Sequence, residues 1–348
     1  MDIDHLFYEL INPWPWYYLV PSILGLLLLL GLAADTLVNE AVVLSERAQI
    51  PKIVIGATVV SLGTTMPETA VSVLAAIEGN PDMALGNAVG SIICDTGLIL
   101  GIACLITPLP LPKRIVNRQG WLQLLAGLLL VLVCWPWGSS WGDIMAGNAQ
   151  GNMKQWVGFV FLGLLALYLW MSAYWARKER DGTTTLEEFE QDASAPLWKV
   201  ILKLCVGIFV VVATSKFLIP LVQVAAERIG VPQAVISASL VAFGTSLPEL
   251  VTAVTAARRG HGELAVGNIV GADILNVLFV TGAAAAVTQQ GLTAGPKFYT
   301  LLFPAMMLIL VVFRVGIFFS PERLSRGFGV ILLALYALTM IFLPGGIH

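Results

Sequence analysis

Long apolar stretches follow one another along the whole chain, separated by short segments rich in glycine, proline and charged residues. A membrane-spanning helix needs roughly 20 predominantly apolar residues, and each stretch is about that long. The pattern therefore predicts ten spans, near residues 18–43, 53–77, 83–106, 120–138, 153–174, 198–225, 234–257, 264–287, 297–317 and 326–344.

Composition agrees with this pattern. The 348 residues are 57% hydrophobic and only 12% charged, whereas soluble domains carry about 25% charged residues. We therefore expect an all-α polytopic membrane protein with ten transmembrane helices. The first residues lack the basic stretch of a signal peptide, so the first span is predicted to be retained.

Lysine and arginine favour alternate loops. Of the 19 in the chain, 15 fall in loops on one side of the predicted membrane, three fall on the other, and Lys216 lies within a span. Cytoplasmic loops carry the excess of basic residues. The bias predicts a multi-pass protein of the cell (inner) membrane with both termini outside the cytoplasm.

Residues 51–101 and 232–282 are two copies of one segment, 181 positions apart without a gap, with 20 of 51 positions identical. Both copies contain Gly-Thr-[Thr/Ser]-x-Pro-Glu and then Gly-Asn-x-Val-Gly. Each half of the chain holds five spans, an odd number, so the copies should cross the membrane in opposite senses as an inverted-topology repeat. The predicted organisation is a first half, 1–175, an acidic cytoplasmic linker, 176–197, and a second half, 198–348.

The first motif places a carboxylate beside a helix breaker at membrane depth. Pro67 removes a backbone donor, and the freed carbonyls need partners inside the bilayer. Thr64 and Glu68 are four residues apart and share one helix face, as do Thr245 and Glu249. A carboxylate inside a membrane is costly, and its presence at two equivalent positions points to an ion site.

The helix after each motif adds a second polar pair, Ser91 with Asp95 in the first copy and Ala272 with Asn276 in the second. The combined donors are all oxygens or amides, without thiolate or imidazole, which suits Ca²⁺, Na⁺ or Mg²⁺. A dehydrated cage favours Ca²⁺ over Mg²⁺. A single hydroxyl could instead have a purely structural role and donate a hydrogen bond to the backbone carbonyl one turn earlier in its own helix.

At these residues the chain resembles the cation/calcium exchanger superfamily, and within it the sodium/calcium exchanger-like antiporters of prokaryotes. GTTMPE with GNAVGS, and GTSLPE with GNIVGAD, are similar to that family's two alpha repeats. The resemblance covers the whole ten-span plan. It implies that Ca²⁺ and Na⁺ compete for one cage in an alternating-access antiporter.

The resemblance also implies roles for individual residues. Glu68 and Glu249 would be the central calcium ligands, with the carbonyls of Thr64 and Thr245. Asp95 and Asn276 would lie at the middle of the cluster. Sodium would be bound by the hydroxyls of Thr64, Thr65, Thr245, Ser246 and Ser91, flanked by the carbonyls of Ser61 and Ala242.

Two positions depart from the family pattern. Asp95 and Asn276 are exchanged relative to many relatives, which pseudo-symmetry tolerates. Ala272 replaces a usual serine, so one sodium site loses its hydroxyl, and Asp273 beside it is the residue placed to compensate. A proton-coupled exchanger of Ca²⁺ or another divalent cation is therefore the main alternative.

Other classes fit less well. An intramembrane protease is disfavoured because the chain has no HExxH motif, and Asp95 and Asp273 lack the surroundings such enzymes use. A channel would show flux without a counter-ion. We expect a transporter and not an enzyme, with no cofactor and no nucleic-acid partner. Its expected partners are the lipid bilayer and the transported ions Ca²⁺ and Na⁺, or H⁺.

Overall fold

A computed structural model describes residues 3–146, 150–180, 196–230, 245–320 and 322–342. Within these ranges the chain is helical, with short strands in some loops. The helices are α1 (Ile3–Ile11), α2 (Trp16–Ala48), α3 (Lys52–Thr64), α4 (Met66–Ile77), α5 (Pro81–Ile106), α6 (Lys113–Val133), α7 (Trp141–Met145), α8 (Gln155–Arg180), α9 (Leu197–Arg228), α10 (Leu247–Arg258), α11 (Gly262–Ala286), α12 (Phe298–Phe319) and α13 (Arg326–Ile341).

Seven of these helices are long and apolar enough to cross a membrane. They are α2, α5, α6, α8, α9, α11 and α12, and the bent pair α3–α4 makes an eighth candidate if it counts as one span. Two predicted spans are less complete: residues 231–244 lie outside the described part, and α13 has 16 residues. The chain is a helical membrane protein, and a count of ten spans stays a prediction.

The two sequence copies fold in the same way where both are described. Helix α4 corresponds residue for residue to α10, since Met66 and Ile77 lie 181 positions before Leu247 and Arg258. Both following helices turn π-helical in the middle, over Ile93–Ile99 in α5 and Asn276–Thr281 in α11. A π-helical turn is rare and occurs frequently at functional sites.

Proline explains the break between α3 and α4. The two helices are bent by 44° relative to one another. Pro67 lies in the first turn of α4, where its missing N–H costs no helical hydrogen bond. Pro248 takes the same place in α10. Each motif glutamate therefore lies in the first turn of a new helix.

Glycines bring α11 against α3 at backbone distance. A Cβ added at Gly267 would lie 2.2 Å from the carbonyl oxygen of Ile53, and one at Gly271 would lie 2.5 Å from that of Ala57. Gly56 approaches α11 from the other side, 2.6 Å from the Leu264 oxygen by the same measure. Close backbone approach through small residues is a common way to pack helices in membranes.

The remaining elements frame this core. Helices α2 and α9 pack side by side, with Gly207 against Leu37 and an ion pair of 3.0 Å between Lys203 and Glu40. Short antiparallel strands join loops of the two halves: β1 (Leu109–Pro110) pairs with β4 (Arg323–Leu324), and β2 (Gly151–Met153) with β3 (Leu292–Ala294). The apolar pattern did not predict these strands or helix α1.

The observed helix ends can be compared with the predicted bounds of the linker. Helix α8 continues to Arg180, five residues past the predicted boundary at 175, and α9 begins at Leu197. Most of the predicted linker, residues 181–195, lies outside the described part.

Candidate cation site

Two buried glutamates form the centre of the site. Glu68 begins α4 and Glu249 begins α10, and each side chain is 1% exposed. Helix α3 ends just before Glu68, so its last carbonyls point toward the same region. A carboxylate at a helix start beside the carbonyl end of another helix is a typical arrangement for ion sites in transporters.

The hydrogen bonds around the two glutamates are reciprocal. The Thr65 hydroxyl donates to Glu249 Oε1 and the Ser246 hydroxyl donates to Glu68 Oε1, both at 3.4 Å. Thr65 and Ser246 are equivalent positions of the two copies, as are Glu68 and Glu249. Each copy thus contributes a hydroxyl to the other copy's carboxylate, which is the contact pattern of two units related by a two-fold axis.

Asp95 and Asn276, at equivalent positions of the two copies, contact each other directly. Asn276 Nδ2 lies 3.4 Å from Asp95 Oδ2, and the two residues are 181 positions apart. Both are 1% exposed and both lie in the π-helical segments of α5 and α11. The exchanged acid and amide therefore face one another, and the pair keeps one negative charge.

Each of these four side chains has an oxygen without a hydrogen-bond partner: Glu68 Oε2, Glu249 Oε2, Asp95 Oδ1 and Asn276 Oδ1. A buried acceptor left unsatisfied costs about 1–3 kcal/mol, and more when it is charged. Four such oxygens in one cluster are not accounted for by packing. A bound cation would satisfy them, and the donor set fits a hard cation.

Carboxylates alone do not complete a coordination shell. Among the described residues, no three acidic, histidine or cysteine side chains converge closely enough to hold a metal ion between them. Hydroxyl, amide and backbone oxygens must therefore supply further ligands. Thr64, Thr65 and Ser61 are fully buried beside Glu68, and Ser91 and Ser246 are almost so.

Some of the predicted hydroxyls also make local bonds. Thr64 Oγ1 donates to the Ser61 carbonyl at 3.4 Å, and that carbonyl also accepts the Thr65 N–H at 2.9 Å. Thr245 Oγ1 donates to Asn87 Oδ1 at 3.4 Å. Ala242, the predicted counterpart of Ser61, lies outside the described residues. The other predicted residues that surround the glutamates are buried or half-buried together.

Asp273 has different neighbours. Its Oδ2 accepts hydrogen bonds from the Thr96 hydroxyl and from Gln123 Nε2. None of the hydrogen bonds in the described part joins it to Glu68 or Glu249. Ala272, beside it, is fully buried and offers no side-chain ligand.

Two asparagines near the site were not predicted from the sequence. Asn87 Nδ2 donates to the Glu68 carbonyl at 3.3 Å and to Ser72 Oγ at 2.9 Å, so it braces the turn that carries Glu68. Its equivalent, Asn268, is fully buried, and neither of its amide atoms has a hydrogen-bond partner. Both asparagines belong to the repeated Gly-Asn-x-Val-Gly motif, and that repetition is the sequence signal that marks them.

Comparison with known proteins agrees with this geometry. A family model described as "Sodium/calcium exchanger protein" matches residues 18–174 and 199–344. The inner membrane protein YrbG of Escherichia coli is 32% identical over 318 residues, covering 89% of this chain and 91% of YrbG. The sodium/calcium exchanger MaX1 of Methanosarcina acetivorans is 28% identical over 348 residues, covering 91% of this chain and 97% of MaX1.

A solved structure is similar as well. The sodium-calcium exchanger NCX_Mj, soaked with 10 mM Na⁺ and zero Ca²⁺, matches with a TM-score of 0.76 at 25% identity, covering 93% of this chain and 98% of that one. The fold and the buried oxygen cluster define a membrane protein of the cation-antiporter class. The chain belongs to the sodium/calcium exchanger family.

Proposed function

We propose that this protein exchanges Ca²⁺ for Na⁺ across the cell (inner) membrane by alternating access, with the ions bound in the Glu68–Glu249 cluster. The observation that carries the proposal is the reciprocal pair of buried glutamates, each held by a hydroxyl of the other copy and each with an unpartnered oxygen. Ions that occupy the same oxygens in turn would bias the protein between two states.

The proposal includes ten spans arranged as two inverted halves. Residue-for-residue equivalence of α4 with α10, and the facing of equivalent residues Asp95 and Asn276, fit two halves related by a two-fold axis in the membrane plane. The halves would be 1–175 and 198–348, joined by a cytoplasmic linker over 176–197. In this proposal both termini lie outside the cytoplasm, which the lysine and arginine distribution favours.

Charge favours a divalent cation at the centre. Glu68, Glu249 and Asp95 supply up to three negative charges within a buried cluster, together with hydroxyl and amide oxygens. Ca²⁺ takes six to eight oxygen ligands in flexible geometry, whereas Mg²⁺ keeps most of its waters. The remaining hydroxyls, of Thr64, Thr65, Ser91, Thr245 and Ser246, with the carbonyls of Ser61 and Ala242, would serve Na⁺.

Proton coupling is the second candidate, and one observation favours it. Ala272 stands at the position equivalent to Ser91 and carries no hydroxyl, while Asp273 adds a buried carboxylate that a proton could neutralise. An exchanger of this kind would move Ca²⁺ or another divalent cation against H⁺ through the same cage.

Calcium uptake into proteoliposomes distinguishes sodium coupling from proton coupling. We expect uptake to follow an outward sodium gradient and to be indifferent to a pH gradient of equal size. Vesicles with Glu249→Gln protein serve as the control for leak. Uptake driven by the pH gradient alone, unaffected by sodium, would replace Na⁺ by H⁺ as the coupling ion.

The facing pair Asp95–Asn276 gives a second prediction. Asp95→Asn should lower calcium affinity by about tenfold or more, because it removes a charge from the cluster. Adding Asn276→Asp should restore affinity to within roughly threefold, because the acid returns at the equivalent position and the two sites are coupled. Calcium dependence of exchange in proteoliposomes measures both. A double variant no better than Asp95→Asn would contradict the two-fold equivalence.

A further inference from the structure

A second group of buried polar side chains, here called the polar chamber, lies where α5, α6 and α11 meet. It consists of Thr96 from α5, Gln123 from α6 and Asp273 from α11. Thr96 is fully buried, and Gln123 and Asp273 are each 2% exposed. Polar side chains inside a membrane protein are costly and are retained where they have a function.

The hydrogen bonds of the chamber converge on one carboxylate oxygen of Asp273 and leave the other oxygen without a partner. Thr96 Oγ1 and Gln123 Nε2 both donate to Asp273 Oδ2, and Gln123 Nε2 also lies 3.1 Å from Thr96 Oγ1. Asp273 Oδ1 has no hydrogen-bond partner although it is buried. The donors are both neutral, so they solvate the carboxylate in part and do not cancel its charge.

The chamber is one helical turn from the cluster. Asp273 and Asn276 are three residues apart on α11, and residues at this spacing lie about 5–6 Å apart on one helix face. Asn276 contacts Asp95, so a charge beside Asp273 would act on the calcium ligands without sharing them. Ala272, immediately before Asp273, cannot supply the hydroxyl that a sodium ion inside the cluster would need.

We propose that Asp273, Thr96 and Gln123 form a monovalent cation site, which binds a Na⁺ beside the glutamate cluster. This inference rests on the proposed sodium coupling. The ligands would be Asp273 Oδ1, the Thr96 hydroxyl oxygen and the Gln123 amide oxygen, which a half-turn of the side-chain amide brings to the place of Nε2. One carboxylate with neutral oxygens matches a single positive charge, whereas Ca²⁺ prefers more carboxylates.

The site makes a structural prediction about coupling. Thr96 and Gln123 both hold Asp273 through its Oδ2 atom. With Na⁺ bound, its charge would be felt by a calcium ion one turn away, so occupation of the chamber and of the cluster by Na⁺ and Ca²⁺ should oppose each other. The repulsion of neighbouring cations in a dehydrated interior is weakly screened by salt.

The test uses the purified full-length protein and two measurements. Equilibrium binding of radiolabelled sodium gives the number of sodium ions per chain and their affinity. Calcium–calcium self-exchange in sodium-free proteoliposomes reports the glutamate cluster alone. We expect Asp273→Asn to lose one sodium ion per chain and Thr96→Val to weaken sodium binding by roughly tenfold, while calcium–calcium self-exchange remains measurable in both variants.

Thr281→Val is the matched control. Thr281 is also a fully buried threonine in the π-helical part of α11, but its hydroxyl donates back to the Val277 carbonyl of its own helix. This variant should bind sodium as the wild type does. Unchanged sodium stoichiometry in Asp273→Asn, with self-exchange intact, would overturn the proposal. An Asp273→Asn variant that keeps its sodium and changes only the pH dependence of transport would also overturn it.

Failure of the proposed function looks different. Wild-type protein that binds no sodium, or whose calcium uptake ignores sodium, would remove the coupling ion itself. Either result would overturn the sodium site as well, and self-exchange shows in each case whether the protein is folded and the cluster is active.

Discussion

Replacing Glu68 by glutamine should weaken calcium binding about a hundredfold and so remove calcium transport at low calcium concentrations. The substitution keeps the shape and one oxygen of the side chain but removes a negative charge from the buried cluster. Two unit charges 4 Å apart interact by about 4 kcal/mol at an effective dielectric constant of 20. Losing even two-thirds of such an interaction weakens binding by about a hundredfold. Radiolabelled calcium uptake into proteoliposomes, measured over a wide range of calcium concentrations, gives the change in apparent calcium affinity.

Glu78→Gln is the matched control for Glu68→Gln. Glu78 lies at the exposed end of the same helix, α4, and it should tolerate the change without loss of uptake. Glu249→Gln should match Glu68→Gln within a few-fold, because the two residues take equivalent places. Full uptake by Glu68→Gln at low calcium would rule out the glutamate pair as the calcium site.

Adding a single methyl group at Gly267 should destabilise the protein severely. A Cβ there would lie 2.2 Å from the Ile53 carbonyl oxygen, which is backbone and cannot rotate away. Helix α11 would have to move off α3, and both helices belong to the core of the cation site. Overpacking a core costs about 1–3 kcal/mol and more where backbone must shift. Thermal unfolding of the purified Gly267→Ala protein in detergent measures the effect.

Gly163→Ala provides the comparison. Gly163 lies within α8, and a Cβ built there meets no atom within 4 Å. Alanine favours the helix over glycine by roughly 1 kcal/mol, so this variant should be as stable as wild type or slightly more so. If Gly267→Ala unfolded at the same temperature as Gly163→Ala, the close approach of α11 and α3 would not describe the native packing.

Much of the fold could be predicted because a bilayer imposes a simple rule on the sequence. Apolar stretches of spanning length correspond to helices α2, α5, α6, α8, α9, α11 and α12, within several residues at their ends. The break between α3 and α4 followed from Pro67. Helix α1 was missed because it is short, and it carries no spanning stretch.

The chemistry of the site was predictable where the sequence repeats itself. Glu68 and Glu249 are marked by two copies of one motif, and the structure brings them together with Thr65 and Ser246 in the reciprocal way that a two-fold axis requires. Gln123 could not be found in this way. It lies outside the repeats, on α6, and its contact with Asp273 exists only because of how the helices pack.

The π-helical turns were also beyond the sequence pattern. Ile93–Ile99 and Asn276–Thr281 read as ordinary apolar helix, because a π turn differs from an α turn by one residue in its hydrogen bonding and not in its composition. They carry Asp95 and Asn276. Asn87 was missed for a different reason, since its role is to brace a backbone carbonyl and not to stand beside an ion.

Equilibrium binding of radiolabelled calcium to the purified protein tests the central claim most directly. If Glu68 and Glu249 form one cage between the two halves, each chain should bind one calcium ion. Sodium should displace it, and either glutamine variant alone should remove it. Two calcium ions per chain, or one that persists when Glu249 is replaced by glutamine, would contradict a single site shared by the two copies.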